Sequence, residues 1–252
     1  QCCGRLQIYV TKLAIAAFIE NNIMSSLLVT GANRGLGLAF ARRYSAHGWK
    51  VIATCREPEI AVELQQLAKE SDSEVMIEKL DVLDHEAIDT LAARHRGRAI
   101  DLLINNAGIV GPFPYAEHLK RQRFGTLDYE LWNEVLRTNS FAPVKMAEVF
   151  LESLLLGKNP KIVSISSTVG SNVESTIPSY LYGSSKAALN KVMTLLAETL
   201  RKHEIIVALL CPGHTKTRMG LETNASIEVE DSCAGMCKLI DELTMSDTGT
   251  FT

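Results

Sequence analysis

Thr30-Gly31-Ala32-Asn33-Arg34-Gly35-Leu36-Gly37 joins a short apolar run, Leu27–Thr30, to an amphipathic segment, Leu36–His47. Glycines allow a tight turn in which the backbone can approach a pyrophosphate closely. A helix that begins there would present unpaired N–H groups and the positive end of its dipole. A plain turn is the alternative, but the position between a strand and a helix predicts a dinucleotide site.

The rest of the chain also alternates apolar runs with longer amphipathic segments. The runs are rich in Val, Ile and Leu on both faces, which is typical of strands buried beneath helices on each side. The predicted strands are Leu27–Thr30, Val51–Cys55, Val75–Leu80, Leu102–Asn105, Ile162–Ser166 and Ile205–Cys211. The predicted helices are Leu36–His47, a segment from Pro58 onward, Ala87–Arg96, Tyr129–Leu155 and Tyr182–His203. This alternation predicts an α/β fold, a Rossmann-type doubly wound parallel sheet with helices on both faces in a single domain.

Composition excludes several classes of partner. The chain has 252 residues, 46% hydrophobic and 22% charged, with a formal net charge of −3. Its most basic run, His118–Arg123, is interpreted as a solvated loop, so we expect no nucleic-acid partner. The apolar run Leu13–Ile19 is too short to span a bilayer, so no membrane association is expected. The cysteines lack metal-ligand spacing, which predicts no metal and a reduced, cytoplasmic protein; they are Cys2, Cys3, Cys55, Cys211, Cys233 and Cys237.

The strongest indication of catalysis is Tyr182-Gly183-Ser184-Ser185-Lys186. Residues at i and i+4 lie on one face of a helix, so the phenol and the ammonium are neighbours. A nearby cation favours the phenolate and is predicted to lower the pKa of Tyr182 toward the range of efficient acid–base catalysis. The alternative is a solvated helix face, but no other tyrosine of the chain has a lysine four residues later.

The end of the second predicted strand indicates which dinucleotide binds. An acid there would bind the ribose 2′-hydroxyl of NAD, whereas an arginine suits a 2′-phosphate. The chain reads Ala53-Thr54-Cys55-Arg56, and Arg34 in the glycine turn can reach the same region. Two guanidiniums match phosphate and predict NADP(H), while Glu57 beside Arg56 argues the other way.

From about Met24 to the C-terminus, these motifs and their order resemble the short-chain dehydrogenase/reductase superfamily. Asn33–Leu38, Thr54–Arg56 and Thr215–Gly220 look most like the sniffer and C-factor type of NADPH-dependent carbonyl reductase. The resemblance implies reduction of a small aldehyde, ketone or diketone to the alcohol. The alternatives are a catalytically weak nucleotide-binding signalling protein and an NAD-dependent alcohol dehydrogenase.

Four catalytic residues are implied by the resemblance: Asn139, Ser167, Tyr182 and Lys186. Tyr182 would donate its proton to the substrate carbonyl oxygen as hydride arrives from the nicotinamide. Ser167 would hydrogen-bond the same oxygen, with its neighbour Ser166 as the competing candidate. Lys186 would lower the pKa of Tyr182 and hold the nicotinamide ribose, and Asn139 would interrupt a helix and anchor a water for proton relay.

The resemblance also implies a cofactor site at the carboxyl ends of the strands. Asp81 would bind the adenine amino group, and Thr217 with its preceding loop would fix the nicotinamide carboxamide. The implied cofactor-binding residues are Gly31, Asn33, Arg34, Gly35, Leu36, Gly37, Arg56, Asp81, Val82, Asn105, Ala107, Gly108, Tyr182, Lys186, Pro212, Gly213, Thr215 and Thr217.

Around this site, Ile109–Thr126 and Arg218–Asp231 are expected to form the walls of an open substrate cleft. A homodimer or homotetramer through the two longest predicted helices is implied by resemblance. Residues 1–23 are expected to be a non-native or disordered extension, with an N-terminal helix as the alternative. Residues 24–252 then form the domain, which we expect to be truncated at its last strand, near Thr248–Thr252.

Overall fold

A computed structural model describes residues 24–173, 179–221 and 224–252. The strands are β1 (Ser26–Thr30), β2 (Lys50–Cys55), β3 (Val75–Lys79), β4 (Leu102–Asn105), β5 (Lys161–Ile165) and β6 (Ile206–Leu210). They form one six-stranded parallel sheet with the order β3-β2-β1-β4-β5-β6. Successive strands are added outward from β1 on one side and then from β4 on the other. This reversal of the strand order between β1 and β4 opens a crevice at the carboxyl ends of the strands. The predicted Rossmann-type fold is confirmed.

Helices connect the strands on both faces. They are α1 (Gly35–Ala46), α2 (Val62–Glu70), α3 (His85–Arg94), α4 (Tyr115–His118), α5 (Tyr129–Leu136), α6 (Ala142–Val149), α7 (Leu151–Leu155), α8 (Tyr180–Leu200), α9 (Arg218–Leu221) and α10 (Val229–Glu242). Short 3₁₀ turns occur at Pro58–Ile60, Leu119–Gln122, Thr168–Gly170, Arg201–His203 and Met245–Asp247. Among the described residues, no helix combines the length and the apolar character needed to cross a membrane.

Alternation along the strands divides the core into two layers. Leu27 of β1 packs in the layer that contains α1 and α10 and includes the fully buried Phe40. Leu28, the next residue, packs in the opposite layer, which contains α3, α6 and α8 and includes Phe150. Fully burying such a side chain stabilises the fold by about 1.5–3 kcal/mol, so both faces of the central strands must be apolar.

The edge strand β3 departs from the prediction of strands buried on both faces. Val75–Lys79 is only half-buried because β3 has a neighbour on one side alone. The carboxylate of Glu78 contacts two side chains at the end of α3. Its Oε2 lies 3.0 Å from Arg94 Nη2, and its Oε1 lies 3.0 Å from His95 Nε2. A polar residue is tolerated there because the edge is covered by a helix terminus instead of a second strand.

The predicted helix Tyr129–Leu155 is not continuous. A π turn at Arg137–Phe141 separates α5 from α6, and α6 ends before α7 begins. Pro143 has no N–H to donate to the carbonyl one turn earlier, at Asn139, so a regular α-helix cannot pass through this point. The break buries Asn139 and Ser140 in the interior.

The last residues lie along β6. Gly249 N donates to Val207 O at 2.7 Å, and Thr252 N donates to Leu209 O at 2.9 Å. Phe251 and Leu209 form a parallel bridge. These contacts stand where a seventh strand was expected to begin, and truncation of that strand stays a prediction. The predicted extension 1–23 lies outside the described residues.

A buried carboxylate ties the amino ends of the central strands together. Asp101, which precedes β4 and is 8% exposed, accepts from Ser26 N at 2.8 Å and from Lys158 N at 2.8 Å. It therefore joins β1 to the loop before β5, on the side of the sheet opposite the crevice.

Removal of this carboxylate should destabilise the fold. We expect Asp101→Ala to lower the free energy of unfolding by about 2–4 kcal/mol because two N–H groups lose their acceptor. Asp101→Asn keeps one acceptor oxygen and should cost about half as much. Urea titration measures both. Asp72→Ala, at an exposed position, is the control and should change stability by less than about 0.5 kcal/mol; an equal loss in the two alanine variants would contradict the role of Asp101.

Candidate active site

The glycine turn after β1 is held open for a ligand by its own backbone. Gly31 and Gly35 have φ angles of +68° and +53°, which favour glycine. A Cβ at Gly37 would lie 2.3 Å from Gly31 O, so no other residue fits there. Asn33 is half-buried in the turn, and Leu36 is buried beneath it. This close packing aims the first N–H groups of α1 into the crevice.

Asn106 locks the turn to the end of β4. Its Nδ2 donates to the carbonyl oxygens of Thr30 and Gly31 at 2.9 and 3.2 Å. In return, Thr30 Oγ1 accepts from the backbone N–H groups of Asn106 and Ala107, both at 3.0 Å. Sequence reasoning assigned Asn105, Ala107 and Gly108 to the cofactor site but gave Asn106 no role, because its partners Thr30 and Gly31 are 76 and 75 residues away in the chain.

The predicted phosphate-binding arginines lie together and are joined by a third. Burial lowers the pKa of Arg34, and the positive charges of Arg218 and Arg56 lower it further. No carboxylate among the described residues forms an ion pair with any of these guanidiniums. A concentrated positive charge that has no counter-ion among the described residues suits a phosphate group.

The predicted catalytic side chains meet beyond the ends of β5 and β6. Tyr182, near the start of α8, is hydrogen-bonded to the side chain of Ser167. Lys186 Nζ lies 5.6 Å from the centre of the Tyr182 ring and donates to Ile165 O at 2.7 Å. The competing candidate, Ser166, is directed elsewhere, since its hydroxyl donates to Asn190 Oδ1.

Burial dominates the acid–base properties of this pair. It raises the pKa of Tyr182 to about 12, although the hydrogen bond with Ser167 acts in the opposite direction. It lowers the pKa of Lys186 to about 8. The predicted lowering of the Tyr182 pKa is therefore wrong for this structure. The reason is that removing the phenol from water disfavours the phenolate, while the ammonium lies over the ring and bonds Ile165.

Asn139 fastens the loop after β4 to α8. Its Oδ1 accepts from Ile109 N at 2.8 Å, and its Nδ2 donates to Ile109 O at 2.8 Å. The same Nδ2 also donates to Ser185 Oγ at 2.9 Å. A Cβ on Gly108 would lie 3.2 Å from Asn139 Oδ1 and 3.8 Å from Lys186 Nζ, so the loop passes close to both. The π turn thus makes Asn139 a clamp on the site.

The loop after β6 closes the crevice from the other side. Ser232 of α10 donates to Pro212 O at 2.7 Å, and the Thr215 hydroxyl donates to the same oxygen at 2.7 Å. Gly213 has a φ of +67°. Thr217 reaches the glycine turn, because its Cγ2 lies 3.4 Å from the position of a Cβ on Gly35. Of the predicted cofactor residues of this loop, Thr217 is therefore brought against the start of α1.

The remaining predicted residues lie at the carboxyl ends of β3 and β4. Asp81 follows β3, and its Oδ1 accepts from Leu83 N at 2.9 Å, which orients the carboxylate. Val82 is buried beside it. Asn105 Oδ1 is buried and has no hydrogen-bond partner. With the close-packed glycine turn and the neighbouring guanidiniums of Arg34, Arg56 and Arg218, these groups fit a dinucleotide. Within the described ranges, no cluster of His, Cys, Asp or Glu could hold a metal ion.

Comparison with known proteins also indicates a dinucleotide-dependent enzyme. One relative, the (+)-neomenthol dehydrogenase of Arabidopsis thaliana, is 30% identical over 269 residues, covering 84% of this chain and 90% of the relative. Chicken fatty liver carbonyl reductase, solved with NADPH bound, matches with a TM-score of 0.79 and 34% identity over 90% of this chain and 95% of its own. The carbonyl reductase Sniffer of D. melanogaster matches with a TM-score of 0.80 and 29% identity, over 91% and 96% of the two chains.

A family model described as "short chain dehydrogenase" matches residues 25–228. The matched segment contains both the glycine turn and the Tyr182–Lys186 pair. The fold brings both to the carboxyl ends of the parallel strands. The chain belongs to the short-chain dehydrogenase family.

Proposed function

We propose that this protein is a cytoplasmic NADP(H)-dependent carbonyl reductase that converts a small aldehyde, ketone or diketone to the alcohol. The observation that carries the proposal is the hydrogen-bonded pair of Tyr182 and Ser167 at the carboxyl edge of the sheet, with Lys186 buried beside it. A cytoplasmic location is supported by the cysteines of the described residues, which are free thiols: Cys55, Cys211, Cys233 and Cys237.

NADP(H) is the cofactor. Similar structures include the chicken reductase with NADPH bound and a metagenomic short-chain oxidoreductase in complex with NADP. In this chain, Arg34 and Arg56 supply charge for a 2′-phosphate where an NAD site would carry an acid. Asp81 and Asn105 lie on the adenosine side, and Thr217 approaches the start of α1.

Bound NADPH supplies the hydride, and the protein supplies the proton. Because the pKa of Tyr182 is about 12, its phenol is protonated at neutral pH and can donate to a carbonyl oxygen. Ser167 Oγ accepts from Val169 N at 3.2 Å, and its hydroxyl is hydrogen-bonded to Tyr182, so both hydroxyls lie where a carbonyl oxygen can accept from them. Lys186, with a pKa of about 8, is charged at neutral pH and stabilises the phenolate that remains.

Asn139 supports this chemistry by position. Its bonds to Ile109 and Ser185 hold the β4 loop against the helix that carries Tyr182 and Lys186. Ser140 adds a second tie, since its hydroxyl donates to Ser185 O at 2.8 Å. Anchoring of a relay water by Asn139 remains part of the proposal.

Removal of the Tyr182 hydroxyl should greatly slow turnover and leave NADPH binding nearly unchanged. We expect Tyr182→Phe to lower kcat for carbonyl reduction by about 10²- to 10⁴-fold, because the general acid is removed. NADPH binding, measured by calorimetry, should change by less than about threefold, since the phenol is one contact among many. Tyr180→Phe, two residues earlier on an exposed position of the same helix, is the matched control and should keep full turnover. Equal turnover of the two variants would exclude Tyr182 as the proton donor.

Burial of Lys186 should appear in the pH dependence of stability. Its folded pKa of about 8 is below the unfolded value, so the unfolded state binds more protons between pH 8 and about 10. Stability from this group therefore rises with pH across that window. The free energy of unfolding of the wild type minus that of Lys186→Met should increase by on the order of 3 kcal/mol.

Urea titrations of the cofactor-free protein at several pH values measure this difference. Lys191→Met, at an exposed position of the same helix, is the matched control. If the two variants show the same pH dependence, the charge of Lys186 is not disfavoured by burial.

We also propose that the protein is a homodimer or homotetramer that associates through α5 to α8. Exposed apolar side chains on these segments support the proposal: Tyr129 is 71% exposed, Phe141 51% and Leu195 55%. Light scattering should give the mass of a dimer or tetramer, and Phe141→Asp or Leu195→Asp should shift it toward the monomer. Leu239→Asp, on α10, is the control. A monomeric wild type at micromolar concentration would contradict the proposal.

A further inference from the structure

Arg218 connects the two walls of the crevice. Its guanidinium carbon lies 4.5 Å from the centre of the Phe113 ring, which is within the range of a cation–π contact. Phe113 belongs to the loop after β4, whereas Arg218 begins α9 after the Pro212–Thr217 loop. The contact therefore spans the opening above the glycine turn from one wall to the other.

The start of α1 lies beneath this contact and has no protein cap. Arg34, at its N-cap position, makes no side-chain hydrogen bond to the helix, and the first turn has no acidic residue. Thr217, the neighbour of Arg218, is the side chain that contacts Gly35 at the first position of the helix. The N–H groups at the start of α1 and the segment that carries Arg218 are thus neighbours in the crevice.

The three guanidiniums come from three different segments around the crevice. Arg56 follows β2, on the side where a ribose 2′-phosphate is expected. Arg218 contacts Phe113, and its neighbour Thr217 reaches the start of α1. The charges of both Arg218 and Arg56 lower the pKa of Arg34, so all three guanidiniums face the same crevice. A dinucleotide with a 2′-phosphate carries a second anionic group, its diphosphate, for which a further guanidinium is a suitable partner.

We propose that Arg218 binds the diphosphate of the dinucleotide and, with Phe113, closes the two walls over it. The proposal rests on the function proposed above and adds a cofactor-binding and positioning residue to it. A planar guanidinium stacked on an aromatic ring keeps its N–H edge free for two phosphate oxygens. Arg34 and Arg56 are left for the 2′-phosphate.

Fragments of the dinucleotide that carry only the diphosphate or only the 2′-phosphate test separately which arginine binds which group. ADP has the diphosphate without a 2′-phosphate, and adenosine 2′-monophosphate has the reverse. We expect Arg218→Gln to weaken binding of ADP, NADH and NADPH by about tenfold, the usual loss of one charge-assisted contact, and to leave adenosine 2′-monophosphate unchanged. Arg56→Gln should show the opposite selectivity between the two fragments. Calorimetry on the full chain measures each dissociation constant.

Further variants sharpen the test. Phe113→Leu removes the ring but no charge, and should weaken ADP by about threefold. Arg201→Gln removes an exposed guanidinium outside the site, which pairs with Glu198 at 3.2 Å, and should change nothing. The proposal is overturned if Arg218→Gln leaves ADP unchanged, or if it weakens adenosine 2′-monophosphate as much as ADP. A wild type that binds no dinucleotide would instead refute the proposed function.

Discussion

The close approach of Gly37 to the carbonyl oxygen of Gly31 is the constraint on which the site depends. Only a residue without Cβ allows α1 to begin so near the end of β1. Asn106 then bonds the carbonyl groups of the turn and fixes it to β4, the neighbouring strand at the reversal of the sheet. The crevice, the start of α1 and the loop that carries Gly108 all take their positions from this junction.

Sequence patterns predicted the sheet well because its strands are governed by burial. Five of the six strands are buried on both faces and bounded by polar residues, so each was located to within one or two positions. The sixth, β3, was located but its burial was overestimated, since the edge position is a property of the strand order. The π turn at Arg137–Phe141 was not predicted in detail, although Pro143 signals that a regular helix cannot continue.

For the active site, the sequence identified which residues take part but not the environment that the fold gives them. The spacing of Tyr182 and Lys186 identified the pair, but not the direction of the Tyr182 pKa, because burial is decided by the whole fold. Charge attraction was expected to dominate, and desolvation exceeds it where the ammonium lies over the ring. Asn106 and Arg218 were missed for a related reason. Their partners, Gly31 and Phe113, are distant in sequence and no local pattern marks them.

Polar side chains of two kinds build this active site, and they have different tasks. Asn106, Asn139 and Ser232 each bond the backbone of another loop, so their polar groups are satisfied within the protein and hold the walls in place. The arginines lie at the surface without ion-pair partners among the described residues, so their charge is available to a ligand. An internal counter-ion would compete with a phosphate for each guanidinium. The side chains that fix the shape of the site are therefore different from those that bind the ligand. A rigid site can thus bind a highly charged ligand.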